Sequence, residues 1–176
     1  TDPMVAADGW VTSNASNVDG QHLAQTFDFL YHAVTPLAVM SERRVARMLD
    51  PSHNANLPAF LVHPDGKSGI NSGFMVAQYT SAALVAELRA RSISAGIQSI
   101  PTCANTEDQV SMCALAARQV AWAVATVEIV IAIEFLCAAQ AIDIRGVVLP
   151  KGLVTSHKLL RKAVPTMIED RILSDD

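Results

Sequence analysis

Residues 120–142 read VAWAVATVEIVIAIEFLCAAQAI, an apolar run interrupted by two carboxylates, Glu128 and Glu134, with Gln119 just before it and Gln140 near its end. A helix this apolar has no solvent face, so it needs neighbours on every side. Two central carboxylates make membrane insertion expensive, which favours a helix buried in protein over a membrane span. Followed outward, the helical pattern starts at a cap on Asn105 or Thr106, places Glu107 and Asp108 at the positive end of the dipole, and stops at Gly146. About forty residues at ~1.5 Å each make roughly 60 Å, more than the ~40 Å diameter of a compact globule of this length. The expectation is an all-α, elongated bundle of long helices, with one helix of about forty residues in the core of an oligomer.

The remaining chain fits that reading. Its 176 residues suit one domain spanning 1–176, and 51% apolar against 17% charged residues, with a mean hydropathy of +0.28, excludes disorder. A net charge of −4 offers no basic excess for a phosphate backbone or an anionic bilayer, so neither nucleic acid nor membrane is expected as a partner. Residues 1–20 read as an irregular arm, and the absence of an initiator Met at position 1 reads as processing or truncation. Over 21–50, Leu23, Phe27, Leu30, Val34, Leu37, Met40, Val45, Met48 and Leu49 recur at helical spacing, with Pro36 expected to bend the helix and Asp50-Pro51 to end it. Leu57 to Val62 reads as a tucked-in apolar clip. A second helix is expected over 71–91, capped by Asn71 or Ser72, with Ala82, Ala83 and Ala86 admitting a close neighbour and Glu87 pairing with Arg91. The last segment, 156–172, is amphipathic and kinked by Pro165.

Ready-made motifs fail. Gly66-Lys67-Ser68 lacks the upstream glycine and strand of a phosphate loop, and the five histidines include no pair at metal-ligand spacing on one helix face. Cys103, Cys113 and Cys137 match neither a zinc knuckle nor a redox pair and read as buried, reduced thiols of a cytoplasmic protein. Trp10 and Trp122 read as packing residues. Arg43 and Arg44 read as solvated or paired with acids of a neighbouring chain.

Two longer motifs are specific. Ser-Gly-Ile-Asn-Ser-Gly-Phe-Met-Val-Ala-Gln at 68–78, followed by Ser-Ile-Pro-Thr-Cys-Ala-Asn-Thr-Glu-Asp-Gln-Val-Ser-Met at 99–112, strongly resembles the C-terminal half of the aromatic amino acid ammonia-lyases, the histidine, tyrosine and phenylalanine lyase superfamily. Ser41-Glu42-Arg43-Arg44, Leu57-Pro58 and the run from Ala138 to Arg145 fit the same alignment in order, and Thr1-Asp2-Pro3 resembles the end of the family's Asp-Asn-Pro segment.

The resemblance implies elimination of ammonia from an aromatic, histidine-like amino acid by an electrophilic methylidene-imidazolone (MIO) group, and a tetrameric assembly. That group forms from an Ala-Ser-Gly segment, which these residues do not contain; Ser94-Ala95-Gly96 has the composition in another order. The family's N-terminal tyrosine loop and its Tyr-Ser-x-Arg segment are likewise outside this sequence. The expectation is a C-terminal portion that is inactive alone and works with a complementary N-terminal half. A non-catalytic assembly subunit and part of an aminomutase are the alternatives, since elimination and mutation share every residue visible here.

Within the resemblance, Glu107 occupies the position that is Glu in histidine lyases and Gln in the phenylalanine and tyrosine enzymes, which makes it the candidate catalytic acid or base. The competing reading is that Glu107, like Asp108, merely complements the helix dipole. Val18 stands where the family places an aromatic, Asp19 where it places a histidine, and Thr106 where it places the glutamine before the acid. Val18, Thr106 and Asn71 complete the expected substrate-binding set, Asn71 through its amide.

Overall fold

The computed structural model describes residues 4–12, 19–67 and 69–175. Its α-helices are α1 (Gln21–Leu49), α2 (Met75–Ala90), α3 (Cys113–Arg145) and α4 (Lys151–Ala163), joined by short 3-10 turns. An antiparallel pair of two-residue strands, β1 (Met4–Val5) and β2 (Val11–Thr12), lies in the segment read as an irregular arm. The all-α reading holds. The chain divides into two compact units: Thr1–Thr35 with Leu88–Ala125, and Pro36–Glu87 with Thr126–Asp176.

Several boundaries differ from the sequence expectation, each for a local reason. α3 begins at Cys113 rather than near 105, because Cys103, Ala104, Asn105 and Met112 all have positive φ and cannot propagate a right-handed helix. It therefore has 33 residues, and Glu107 and Asp108 lie outside its first turn. Gly146, at φ +62°, ends it as expected, its N–H reaching the carbonyls of Ile142 and Asp143. α4 starts at Lys151, just after Pro150, and Pro165 ends it rather than kinking it. The preceding Val164 is extended, at φ −125° and ψ 107°, as pre-proline sterics require.

α1 ends at Leu49 as read and keeps Pro36 inside one continuous helix, yet it buries a different face. Ala24, Asp28, Tyr31, Ala38, Ser41, Glu42, Val45 and Leu49 are the buried positions, whereas Leu23, Leu30, Leu37 and Met40 are about half exposed. Small and polar side chains let the chain's own helices approach; the larger apolar ones face outward. α2 differs, burying Val85 and Leu88 with Ser81 and leaving Ala82, Ala83 and Ala86, expected to admit a close neighbour, exposed.

In the first unit, Ala24, Ala95 and Ala116 form a small-residue core with Phe27, Cys113 and Leu115 against it. Gly20 is needed there, because a Cβ would lie 2.8 Å from the Cys113 sulfur. The Tyr31 hydroxyl, buried, donates to the Leu88 carbonyl at 2.8 Å. Arg91 stacks its guanidinium 4.2 Å from the centroid of Trp122, which thus keeps a packing role; Trp10 is 61% exposed.

In the second unit the core is Val45, Leu49, Leu61, Phe74, Cys137 and Met167, so the 57–62 clip does tuck in. Gly73, at φ +60°, lets Phe74 N–H reach the Phe60 carbonyl at 2.9 Å; a side chain there would strike that same oxygen. Gln140, fully buried, donates to the carbonyls of Leu61 (3.3 Å) and Met167 (2.8 Å) and accepts from Met167 N–H (3.1 Å). Asp143 gathers His157 (2.8 Å), Arg161 (2.7 Å) and Thr166 (2.6 Å), fastening α4 and the segment after it to α3. Burial, followed by the nearby Glu134 charge, pushes the Cys137 thiol up to about 12. Of the three thiols expected to be buried, only Cys137 is; Cys113 is half-buried and Cys103 exposed.

Arg44 forms a two-pronged ion pair with Glu134, at 2.5 and 2.7 Å, and Arg43 pairs with Glu42; both arginines, read as solvated or paired with a neighbouring chain's acids, are more than half exposed and also meet acids of this chain. Burial pushes the Glu134 carboxyl up, but hydrogen bonds from Arg44 and Ser41, together with the Arg44 charge, outweigh it and hold the group below its ordinary 4.5. A depressed carboxylate stabilises the fold above its unfolded-state value and loses that contribution as pH falls through the folded one. Glu134→Gln should therefore lower Tm at pH 7, and the gap from the parent should close as pH drops below about 4.5. Parallel thermal melts from pH 7 to about 3 check this; a gap that widens toward acid would contradict the assignment.

Candidate functional site

The chemistry-bearing residues converge on the loop between α2 and α3, all of it in the first unit. Its first stem is tied to α1. The Asp28 carboxylate, buried, accepts from the N–H groups of Ala95 (2.9 Å) and Gly96 (2.8 Å), and His32 bonds the Ser92 carbonyl at 2.8 Å. Gln21, on the first turn of α1, donates to the Gly96 carbonyl at 3.0 Å and accepts from the Gln109 amide at 3.2 Å. One side chain thus grips both stems of the loop.

Inside that grip the loop is laddered. Val110 N–H donates to the Ser99 hydroxyl at 2.9 Å. Further toward the tip, Thr102 and Glu107 form an antiparallel bridge, with N–H to carbonyl bonds of 3.0 and 3.3 Å in the two directions. The tip is a 3-10 turn, Cys103–Asn105, whose left-handed residues reverse the chain within four positions. Thr106 N–H closes it on the Cys103 carbonyl at 3.0 Å.

Glu107 therefore stands beside the tip of a braced loop, exposed, with Thr102 Oγ1 donating to its Oε2 at 2.5 Å. Such a carboxylate keeps free lone pairs for a cationic or proton-donating ligand. The dipole-complement reading of Glu107 and Asp108 falls with the true start of α3. Thr106 is its exposed neighbour. Asn71 belongs to the other unit and serves the fold. Its amide donates to Glu169 (3.0 Å) and accepts from Asp170 N–H (3.1 Å), while the Asp170 carboxylate takes the N–H groups of Ser72 and Gly73 ahead of α2. Asp170, almost a hundred residues downstream, thus braces the turn ahead of α2, which starts at Met75, later than the cap expected on Asn71 or Ser72. Val18 lies outside the described residues.

Thr102, Gln21 and Asp28 were not legible as site residues. Asp28 alone left a trace, a charge flanked by the apolar Phe27 and Phe29 of α1. A groove of about 280 Å³ in the second unit, lined by Leu37, Met40, Ile131, Phe135 and Ala138, is apolar apart from the Arg44–Glu134 pair. Those charges satisfy one another, so it offers shape rather than chemistry. Among the described residues no group of three His, Cys, Asp or Glu side chains is placed to hold a metal.

A helical scaffold carrying a braced, acid-bearing loop ahead of its longest helix defines the class. The chain belongs to the aromatic amino acid lyase family, whose sequence pattern matches residues 1–164. It is 46% identical to histidine ammonia-lyase of Deinococcus radiodurans over 174 residues, covering 99% of this chain and 32% of that relative. Among solved structures it resembles histidine ammonia-lyase from Trypanosoma cruzi, with a TM-score of 0.88 and 39% identity over 99% of this chain and 34% of that one. It also resembles tyrosine aminomutase from Streptomyces globisporus, with a TM-score of 0.89 and 36% identity over 99% and 33%. The chain spans about a third of the length of the relatives it matches.

Proposed function

We propose that this chain forms one wall of an ammonia-lyase site acting on a histidine-like aromatic amino acid, with Glu107 as the acid or base of that wall and Thr106 and Val18 shaping the substrate pocket. The observation that carries the reading is the Glu107 carboxylate held at the exposed end of a doubly gripped loop, in a chain 46% identical to a histidine ammonia-lyase. Glu107 can pair with an ammonium or imidazolium and take up a proton as the amino group departs.

The MIO electrophile does not fit the residues present. The nearest stretch in composition, Ser94-Ala95-Gly96, has its first two residues exchanged and commits the Ala95 and Gly96 amides to Asp28. In this proposal the group comes from outside these 176 residues, in an assembly with further chains or a complementary segment. Supporting assembly, only a third of the most apolar window of α3 is buried within this chain, and α1 exposes its larger apolar side chains. The free thiols suit a cytoplasmic setting.

Similarity to an aminomutase keeps a second reading, in which the amino group is moved rather than released. The test is to incubate histidine, tyrosine and phenylalanine with the chain alone, and with the chain assembled with a segment carrying Ala-Ser-Gly, then separate the products. Unsaturated acid from the assembly only is the expected result, histidine being the best substrate. Turnover by the chain alone would refute an external electrophile; β-amino acid as the main product would favour the aminomutase.

A further inference from the structure

We infer that Thr102 is the positioning residue of Glu107, holding its carboxylate ready for substrate through the hydroxyl; the inference rests on the reading of Glu107 as the acid or base of the site. The two residues face each other across one rung, joined by backbone bonds in both directions, so their side chains leave the same side of the ladder. On that side Thr102 Oγ1 donates to Glu107 Oε2 at 2.5 Å. An exposed glutamate otherwise samples many rotamers, and only a small fraction would present the carboxylate to a ligand. The threonine side chain suits this task, since branching at Cβ stiffens χ1 and aims the hydroxyl.

The donor occupies one oxygen and leaves Oε1 open, so the contact orients the acid without using it up. The frame behind Thr102 is fixed as well. Three positions further down the stems the Val110 N–H is tied to the Ser99 hydroxyl, and Gln21 ties both stems. Thr102 thus passes the rigidity of α1 to a carboxylate that would otherwise move freely.

The test uses the complete enzyme containing this chain, with Thr102→Val, Thr102→Ser, Glu107→Gln and the Thr102→Val/Glu107→Gln double variant measured side by side. Thr102→Val keeps the shape and removes the hydroxyl; it should lower kcat about tenfold with a smaller change in KM, the size of one hydrogen bond to a charged group. Thr102→Ser should recover activity to within about threefold, because it retains the donor. In the Glu107→Gln background, Thr102→Val should cost almost nothing further, since the two residues act as one unit. Should Thr102→Val misfold, Thr102→Ala removes the same hydroxyl without a new methyl contact. Wild-type kcat in a folded Thr102→Val or Thr102→Ala variant, beside an inactive Glu107→Gln, would overturn the role of Thr102 and leave Glu107 standing. A serine variant as impaired as the valine one would also overturn it. Wild-type activity in Glu107→Gln would instead remove the reading on which the inference rests.

Discussion

Glu107→Gln in the complete enzyme is expected to reduce kcat/KM for histidine by about a hundredfold or more, the usual loss on removing a positioned acid or base. The substitution keeps the shape of the side chain and an oxygen for the Thr102 hydroxyl, and removes the charge and the proton affinity. Thermal stability should stay within a degree or so, on the order of what an exposed surface change produces. Had the acid lain in the first turn of α3, its removal would have cost ~0.3–1 kcal/mol of helix stability; with the helix starting at Cys113, that cost should not appear. Steady-state kinetics and a melting curve on the same preparation check both halves. Unchanged histidine turnover would end the case for Glu107, and new activity on an uncharged aromatic substrate would strengthen it.

Gln140→Leu should be the most destabilising single change in the second unit. The side chain is fully buried and serves two carbonyls and one N–H, from Leu61 and Met167. Leucine fills the volume but strands those three backbone groups away from water, at about 1–3 kcal/mol each before relaxation. A net loss of about 3–5 kcal/mol is expected, equivalent to a fall in Tm of roughly 10 °C or more for a chain of this size. Urea and thermal unfolding measure it. A loss below about 1 kcal/mol would mean that the Leu61 and Met167 segments repack around new partners.

How far the sequence could be read depended on whether a feature was local. The ends of α1 and α3 were legible where Asp50-Pro51 and Gly146 act within a turn of themselves. The start of α3 was not, because Asn105 and Thr106 look like caps and nothing nearby announces the left-handed run from Cys103 to Asn105. The apolar stripe of α1 was legible as helical spacing, but not which of its residues meet the chain's own core: Val45 and Leu49 do, together with Ala24, Ala38 and Ser41, whereas Leu23, Leu30, Leu37 and Met40 stay about half exposed. The ties of Asn71 to Glu169 and Asp170 were not legible, because those partners lie almost a hundred residues away. Glu107 was singled out through the resemblance and not through periodicity. The brace that aims it, made of Thr102, Gln21 and Asp28, exists only once α1 and the α2–α3 loop have met.

The span of these ties bears on how the chain is made. Tyr31 waits 57 residues for Leu88, Ser41 waits 89 for Val130, and Gly73 waits 97 for the Asp170 carboxylate that braces the turn ahead of α2. Helical proteins usually fold fast because their contacts are close in sequence, and this one departs from that habit. At ~5–20 residues per second, a ribosome takes on the order of 5–20 s to supply a hundred residues. Throughout that interval the inner face of α1 and the turn ahead of α2 lack the partners that hold them in the finished fold, so these ties close late in synthesis rather than as each helix emerges.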